Sequence, residues 1–338
     1  MTPIQTYRLT NENGVSIEFI AVGGRITSVK IPDNEKSIEI SLGYDSPELA
    51  LEGDGYMGAI CGRVANRLGN GKFVMEGITY KLAQNDRTNH LHGGPEGFHN
   101  RIWKVNEIIL ENYTSAYKLS HLSVDGEESY PGNLSVEIIY ALNNNNELLI
   151  DLHATTDKPT IVNLTSHPYF NLNGVGSGKI FNHELQINAE AFTPLNQLSV
   201  PTGEIRHVKG TDMDFNTPVK LGERINSSYK QIKLVGGLDH NWVIKKEAGE
   251  MALACRVSEP ESGRAIEVHT SQPGIQVYTA MHFDGSEMGR SNVPFTQYCG
   301  IAMEAQNFPD APNNPNFPSA VLKPGEKYHE KIVYRFIF

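Results

Sequence analysis

The sequence predicts an all-β protein, a large antiparallel β-sandwich with little helix, on three observations. Apolar and polar residues alternate with a period of two in many segments, turn-forming residues separate those segments, and apolar residues at three- and four-residue spacing are scarce. Val15, Ile17 and Phe19 alternate with Ser16, Glu18 and Ile20, and Ile38, Ile40 and Leu42 alternate with Glu39, Ser41 and Gly43. Such alternation describes strands with one face buried. Further strands are predicted over 134–141, 148–155, 251–257, 265–270, 275–279 and 330–338, with turns at Asn143-Asn144-Asn145-Asn146 and Glu261-Ser262-Gly263 between them. The one helical pattern, 221–229, is long enough for two turns. No repeat and no Pro- or Ser-rich linker divides the chain, so residues 1–338 are expected to form a single domain.

Composition narrows the class of function. The 338 residues carry 29 Lys and Arg against 39 Asp and Glu, a net charge of −10, which disfavours capture of nucleic acid or of an anionic membrane. The longest apolar runs, 138–142 and 251–255, are five residues each, too short to span a bilayer. The opening residues Met1-Thr2-Pro3-Ile4-Gln5 contain neither a basic segment nor an apolar core, and a cytoplasmic location is expected. Three widely spaced cysteines, Cys61, Cys255 and Cys299, form no C-x-x-C pair and read as small buried hydrophobes.

Several short templates fail on their own chemistry. Asn173-Gly174-Val175-Gly176-Ser177-Gly178 lacks the spacing and the following helix of a dinucleotide loop. Asp212, Asp214, Asn216 and Glu223 match a calcium loop at four positions, but Thr217 stands where glycine is needed and Pro218 follows. His183-Glu184 and His329-Glu330 begin an H-E-x-x-H motif that Ile187 and Val333 leave unfinished.

The informative segments are clusters of polar residues set among turn formers: Asn66-Arg67, Asn89 to Gly94, Thr165 to Leu172, Gly237 to Asn241, Gln272 to Gln276, and Met303 to Asp310. Loops at strand ends are where a β scaffold presents chemistry. A histidine and a carboxylate suit proton transfer near neutrality, because their reference pKa values of about 6.5 and 4.3 bracket useful acids and bases. Arg, Asp and Gln suit hydroxyl-rich ligands, and Tyr169 or Phe308 suits the flat face of a pyranose. His92 and His167 are the histidines of interest. His90, His99, His121 and His329 read as ordinary, satisfied side chains, although His90 and His92 with Glu304 also spell a short metal pattern.

In order along the chain, Asn66-Arg67, Leu91-His92-Gly93-Gly94, Gly97-Phe98, Trp103, His167-Pro168-Tyr169-Phe170-Asn171-Leu172, Asp239-His240, Gln276, Glu304 and Gln306 to Asp310 resemble the aldose 1-epimerase (galactose mutarotase) family. The resemblance spans nearly the whole chain. It implies a β-sandwich with the sugar in an open cleft, an isomerase that interconverts the anomers of free aldohexoses, and no cofactor or metal. It also implies Glu304 as the base on the anomeric hydroxyl and His167 as the acid on the ring oxygen. Asn66, Arg67, His92, Tyr169, Asp239 and Gln276 would then hold the remaining hydroxyls. The partner is a small free sugar, with no nucleic acid and no membrane, and the protein is expected to be a monomer or homodimer. Two positions depart from the family pattern: Leu238 where an aromatic residue commonly precedes the aspartate, and Phe308 where tryptophan is frequent.

Overall fold

In the computed structural model, residues 4–53 and 56–338 are described; residues 1–3 of the opening segment read above, with 54 and 55, lie outside the described residues. Two antiparallel sheets lie face to face. The nine-stranded sheet runs from edge to edge through Lys104–Ile108, Ser115–Ser123, Leu134–Leu142, Glu147–Thr156, Tyr328–Ile337, Ala265–Thr270, Ala252–Ser258, Glu184–Ile187 and Val219–Lys220. The six-stranded sheet runs through Tyr169–Phe170, Ile301–Gln306, Gly274–Tyr278, Asp239–Ile244, Ala189–Thr193 and Arg206–His207. Ile266, Val268, Ile332, Tyr334 and Phe336 from the first sheet share one apolar cluster with Ile275, Val277, Ile301, Met303 and Ala305 from the second. The Tyr334 hydroxyl donates to the Met303 carbonyl at 2.9 Å across the layers. A four-stranded meander, Thr6–Thr10, Ser16–Ile20, Ile26–Asp33 and Lys36–Glu39, extends the same core, with Phe19 edge-on to Tyr117 and Tyr140.

The predicted strands fall within one or two residues of the observed ones, and the period-two rule explains the long ones. In Glu147–Thr156, residues Leu148, Ile150, Leu152 and Ala154 enter the core, which turns Asp151 and His153 outward. The turn at Asn143 works through its side chain, whose carbonyl accepts the amides of Asn145 and Glu147 at 2.9 and 3.0 Å, while Asn146 takes the left-handed conformation at φ 62. The segment 38–42 is shorter than predicted: the strand closes at Glu39, and Ser41 makes only an isolated bridge to Phe170.

Helix prediction was less complete. The 221–229 pattern yields one turn, Leu221–Ile225, because the Ser227 hydroxyl turns to the Asp212 carboxylate and its oxygen accepts the Tyr229 amide at 2.9 Å. A separate short helix, Lys230–Val235, follows and ends at Gly236 with φ 77. Pro47–Glu52 forms another, capped by Ser46. No helix among the described residues is long and apolar enough to cross a membrane. Asp212 and Asp214 are occupied by Arg224, Ser227 and Asn216, which leaves the calcium template as an ordinary loop.

Four histidines, His90, His99, His183 and His240, are buried, and burial pushes each down to about pH 4. Their folded values lie below the unfolded value of about 6.5, so the unfolded chain binds more protons between pH 6.5 and 4. Stability is therefore complete above about 6.5 and is lost as the pH falls toward 4. Urea midpoints recorded across that interval should decline steadily; a midpoint independent of pH there would contradict the neutral assignments.

Candidate active site

On Ile301–Gln306, alternation sends Ile301, Met303 and Ala305 into the core and Glu304 and Gln306 to the opposite face. The neighbouring strands repeat the division, with Gln276 opposite Glu304, Asn241 opposite Gln276, and Thr193 opposite Asn241. A polar row thus crosses four strands on the face away from the core. Loops cover it, so every member is buried. Gly274 is required here: a Cβ on it would lie 2.3 Å from the Asn241 side-chain oxygen.

Register explains how His167 arrives beside Glu304. Tyr169 pairs with Ala302 and Phe170 with Ile301, so continuing the antiparallel ladder by two residues sets His167 against Glu304. The backbone at His167 is fixed by hydrogen bonds with Gly58 and Ala59 of 2.8 and 3.0 Å. His167 Nε2 lies 3.3 Å from Glu304 Oε1, with both side chains nearly fully buried. Among the described residues, Glu304 Oε2 and His167 Nδ1 have no hydrogen-bond partner. Burial pushes the Glu304 carboxyl up to about 7; the His167 and Arg67 charges pull it down, and the Asp239 charge adds to the rise.

The short ladder of Arg67–Leu68 with His90–Leu91 brings Asn66 to His92. The Asn66 amide donates to His92 Nδ1 at 3.1 Å, and both residues take left-handed backbone conformations, φ 60 and 50. Burial, reinforced by the nearby His167 and Arg67 charges, holds the His92 imidazole well below its ordinary value, so it is neutral. With Nδ1 accepting, the proton resides on Nε2 and makes His92 a hydrogen-bond donor. Arg67 sits between two carboxylates, with Nε 2.7 Å from Asp86 and Nη1 3.5 Å from Asp239. Burial works against its charge, but Asp239 and Asp86 outweigh that and raise it above its usual value. The other Asp239 oxygen accepts from Gln276 Nε2 at 2.7 Å. The Tyr169 ring lies 4.9 Å from that of His167, and the His92 ring 5.4 Å from it.

All eight residues singled out in the sequence, Asn66, Arg67, His92, His167, Tyr169, Asp239, Gln276 and Glu304, are therefore joined in one cluster. Asn241, from the 237–241 segment, joins them through its register with Gln276, and Asp86 and Tyr278 join without a motif to announce them; Tyr278 packs 5.8 Å from Tyr169. Phe308 stands beside the Gly274 and Asn241 end of the polar row. It belongs to a second apolar cluster, edge-on to Phe317 at 5.3 Å, and Leu238 is fully buried in the main core. A separate groove of about 720 Å³, lined by Val243, Lys246, Pro273, Phe308 and Tyr328 among others, contains none of the eight.

The metal pattern of His90 with His92 and Glu304 dissolves, since His90 Nδ1 faces the Ala83 carbonyl and Nε2 the Tyr130 hydroxyl, both at 2.7 Å. Donor atoms of His92, His167 and Glu304 do lie within 4.8 Å of one another, a set that can serve either proton transfer or a cation.

The aldose 1-epimerase family profile matches residues 5–335. The chain is 39% identical over 334 residues to the galactose mutarotase of Bos taurus, covering 98% of this chain and 94% of that one. It is 34% identical over 338 residues to the aldose 1-epimerase of Escherichia coli K12, covering 99% and 96%. Its fold superposes on an aldose epimerase homologue from C. elegans with a TM-score of 0.89 at 29% identity. It also superposes on a galactose 1-epimerase from Lactobacillus acidophilus with 0.85 at 27%, each comparison covering 99% of both chains. With a matching profile, relatives above 30% identity and the same sandwich throughout, this chain belongs to the aldose 1-epimerase family.

Proposed function

We propose that the protein interconverts the α and β anomers of free aldohexoses such as D-galactose and D-glucose by opening and reclosing the ring. The observation that carries this is the 3.3 Å approach of His167 Nε2 to Glu304 Oε1. The two oxygens of a hemiacetal share a single carbon, so an acid and a base that serve them must stand side by side. Glu304 takes the proton of the anomeric hydroxyl as protonated His167 gives one to the ring oxygen, and the bond from C1 to the ring oxygen breaks. Rotation about C1–C2 in the open aldehyde presents the other carbonyl face. Reclosure with the proton roles reversed gives the second anomer. Positioned acid and base catalysis of this kind contributes typically about 10²–10⁴-fold.

Neutral His92 donates from Nε2 beside the acid, where it can steady the ring oxygen without competing as an acid. Arg67, Asn66, Asp239, Gln276 and Tyr169 orient the remaining hydroxyls. No resident cofactor enters this scheme. Cys61, Cys255 and Cys299 are buried as small hydrophobes are, and a cytoplasmic location belongs to the same proposal.

Polarimetry on freshly dissolved α-D-galactose tests the proposal: rotation should relax faster with protein than without. An unchanged rate would leave a silent sugar-binding protein. A chelator should not alter the enhancement, whereas a cleft cation would make it chelator-sensitive. Because kcat/KM reports the sugar-free enzyme and Glu304 titrates at about 7 there, kcat/KM should rise with the ionised fraction of Glu304 as the pH climbs through about 7. An acid limb centred near the ordinary glutamate value would show that burial does not govern the base.

A further inference from the structure

We propose that Asp151, His153 and His329 form a binding site for a divalent transition-metal ion on the outer face of the nine-stranded sheet, with the sandwich core between it and Glu304. Asp151 and His153 share that face two residues apart on Glu147–Thr156, and His329 on Tyr328–Ile337 pairs directly with His153. Both imidazoles aim Nε2 at one carboxylate oxygen, Asp151 Oδ1, at 3.2 Å from His153 and 2.9 Å from His329. The three donor atoms lie within 4.8 Å of one another.

The two separations from Asp151 are those of ligands on one ion. With bonds of 2.0–2.2 Å to imidazole nitrogen and carboxylate oxygen, and angles between octahedral and tetrahedral, neighbouring donors stand about 2.9–3.4 Å apart. The two rings stack with centroids 4.3 Å apart and planes 18° from parallel, which keeps both Nε2 atoms together beside the one carboxylate. A metal ion would meet both imidazoles and the carboxylate at once. Two imidazoles and one carboxylate favour zinc, copper or nickel over calcium or magnesium. Glu137, in register with His153 on its other side and 3.1 Å from Lys118, offers a further oxygen, while Lys331 beside Asp151 tempers the local negative charge. The occupied site would tie the last strand of the sheet to its neighbour.

Zinc titrated calorimetrically near neutral pH into the full chain, freed of metal by chelator and dialysis, tests this, with polarimetric turnover measured on the same samples. Wild type should bind one equivalent more than His329→Ala or Asp151→Asn, and zinc should raise its thermal midpoint but not theirs. Turnover should be equal in all three, which also shows that the variants fold. Superposable isotherms of wild type and His329→Ala would overturn the site. So would zinc uptake that persists in both variants and abolishes turnover, since that places the ion on His92, His167 and Glu304. Sensitivity of turnover to chelator alone would count against the acid–base mechanism and leave the isotherm comparison intact.

Discussion

Glu304→Gln lowers the rate of anomer interconversion by about 10²–10⁴-fold, or roughly 3–5 kcal/mol of transition-state stabilisation, while galactose still binds. The amide keeps the shape and one acceptor oxygen of the carboxylate but cannot take the anomeric proton. His167→Asn should behave alike, because the amide can hold the ring oxygen without protonating it. The two losses will not add: acid and base act in one step, so the double variant should be close to either single one. Polarimetry gives the rate, and calorimetric titration with galactose gives the binding. Near wild-type turnover in either variant would remove that residue from its assigned role. In Glu304→Gln the acid limb near pH 7 should also vanish from the residual kcat/KM, since burial of that carboxyl is its source.

Arg63→Met should cost about 3 kcal/mol or more of stability, without a comparable loss of turnover per folded molecule. Arg63 is 2% exposed. Its guanidinium donates to the carbonyls of Ser123, Val124, Pro131 and Gly132 between 2.9 and 3.2 Å, and to the hydroxyls of Ser123 and Thr160. Burial lowers its pKa only to about 10, so it stays charged. Removing the guanidinium leaves several buried carbonyls unpaired, each costing about 1–3 kcal/mol, so two of them already reach the predicted loss. Lysine should rescue little, because one ammonium cannot serve a fan of acceptors this wide. Urea denaturation with an unchanged m-value measures the effect; a shift below about 1 kcal/mol would show that the loops re-satisfy themselves with water. Tyr130, 5.6 Å from the guanidinium, carries the hydroxyl that holds His90, next but one to His92. The same change should therefore loosen one edge of the cleft and raise KM before it touches kcat.

Sequence pattern reported the elements that bury one face and hid those held by tertiary contacts. Leu134–Leu142 and Glu147–Thr156 announce themselves because apolar residues recur at every second position. Lys230–Val235 and Pro47–Glu52 are a turn and a half each, too short for a 3.6-residue period to stand out. In the cleft, the recognisable residues are those whose neighbours form short motifs. Asp86 lies in a loop with no signature, yet is the closer of the two carboxylates on Arg67. Asn241 acquires its place only through the ladder with Gln276, and no reading of one strand reveals its register against another. Phe308 packs in a neighbouring apolar cluster while its ring also stands beside Gly274, a double contact that composition does not announce. His153 and His329 lie far apart in the chain, and only strand pairing makes them neighbours.

The strand Ile301–Gln306 serves two masters with a single alternation: its odd-numbered side chains fill hydrocarbon and Glu304 faces the candidate site. Inserting one residue after Ala302 would rotate Met303 toward the candidate site and thrust the Glu304 carboxylate into the apolar core. Indels are thus constrained there by the proposed catalysis and by folding alike, whereas the turn at Glu261-Ser262-Gly263, exposed throughout, carries no such double burden.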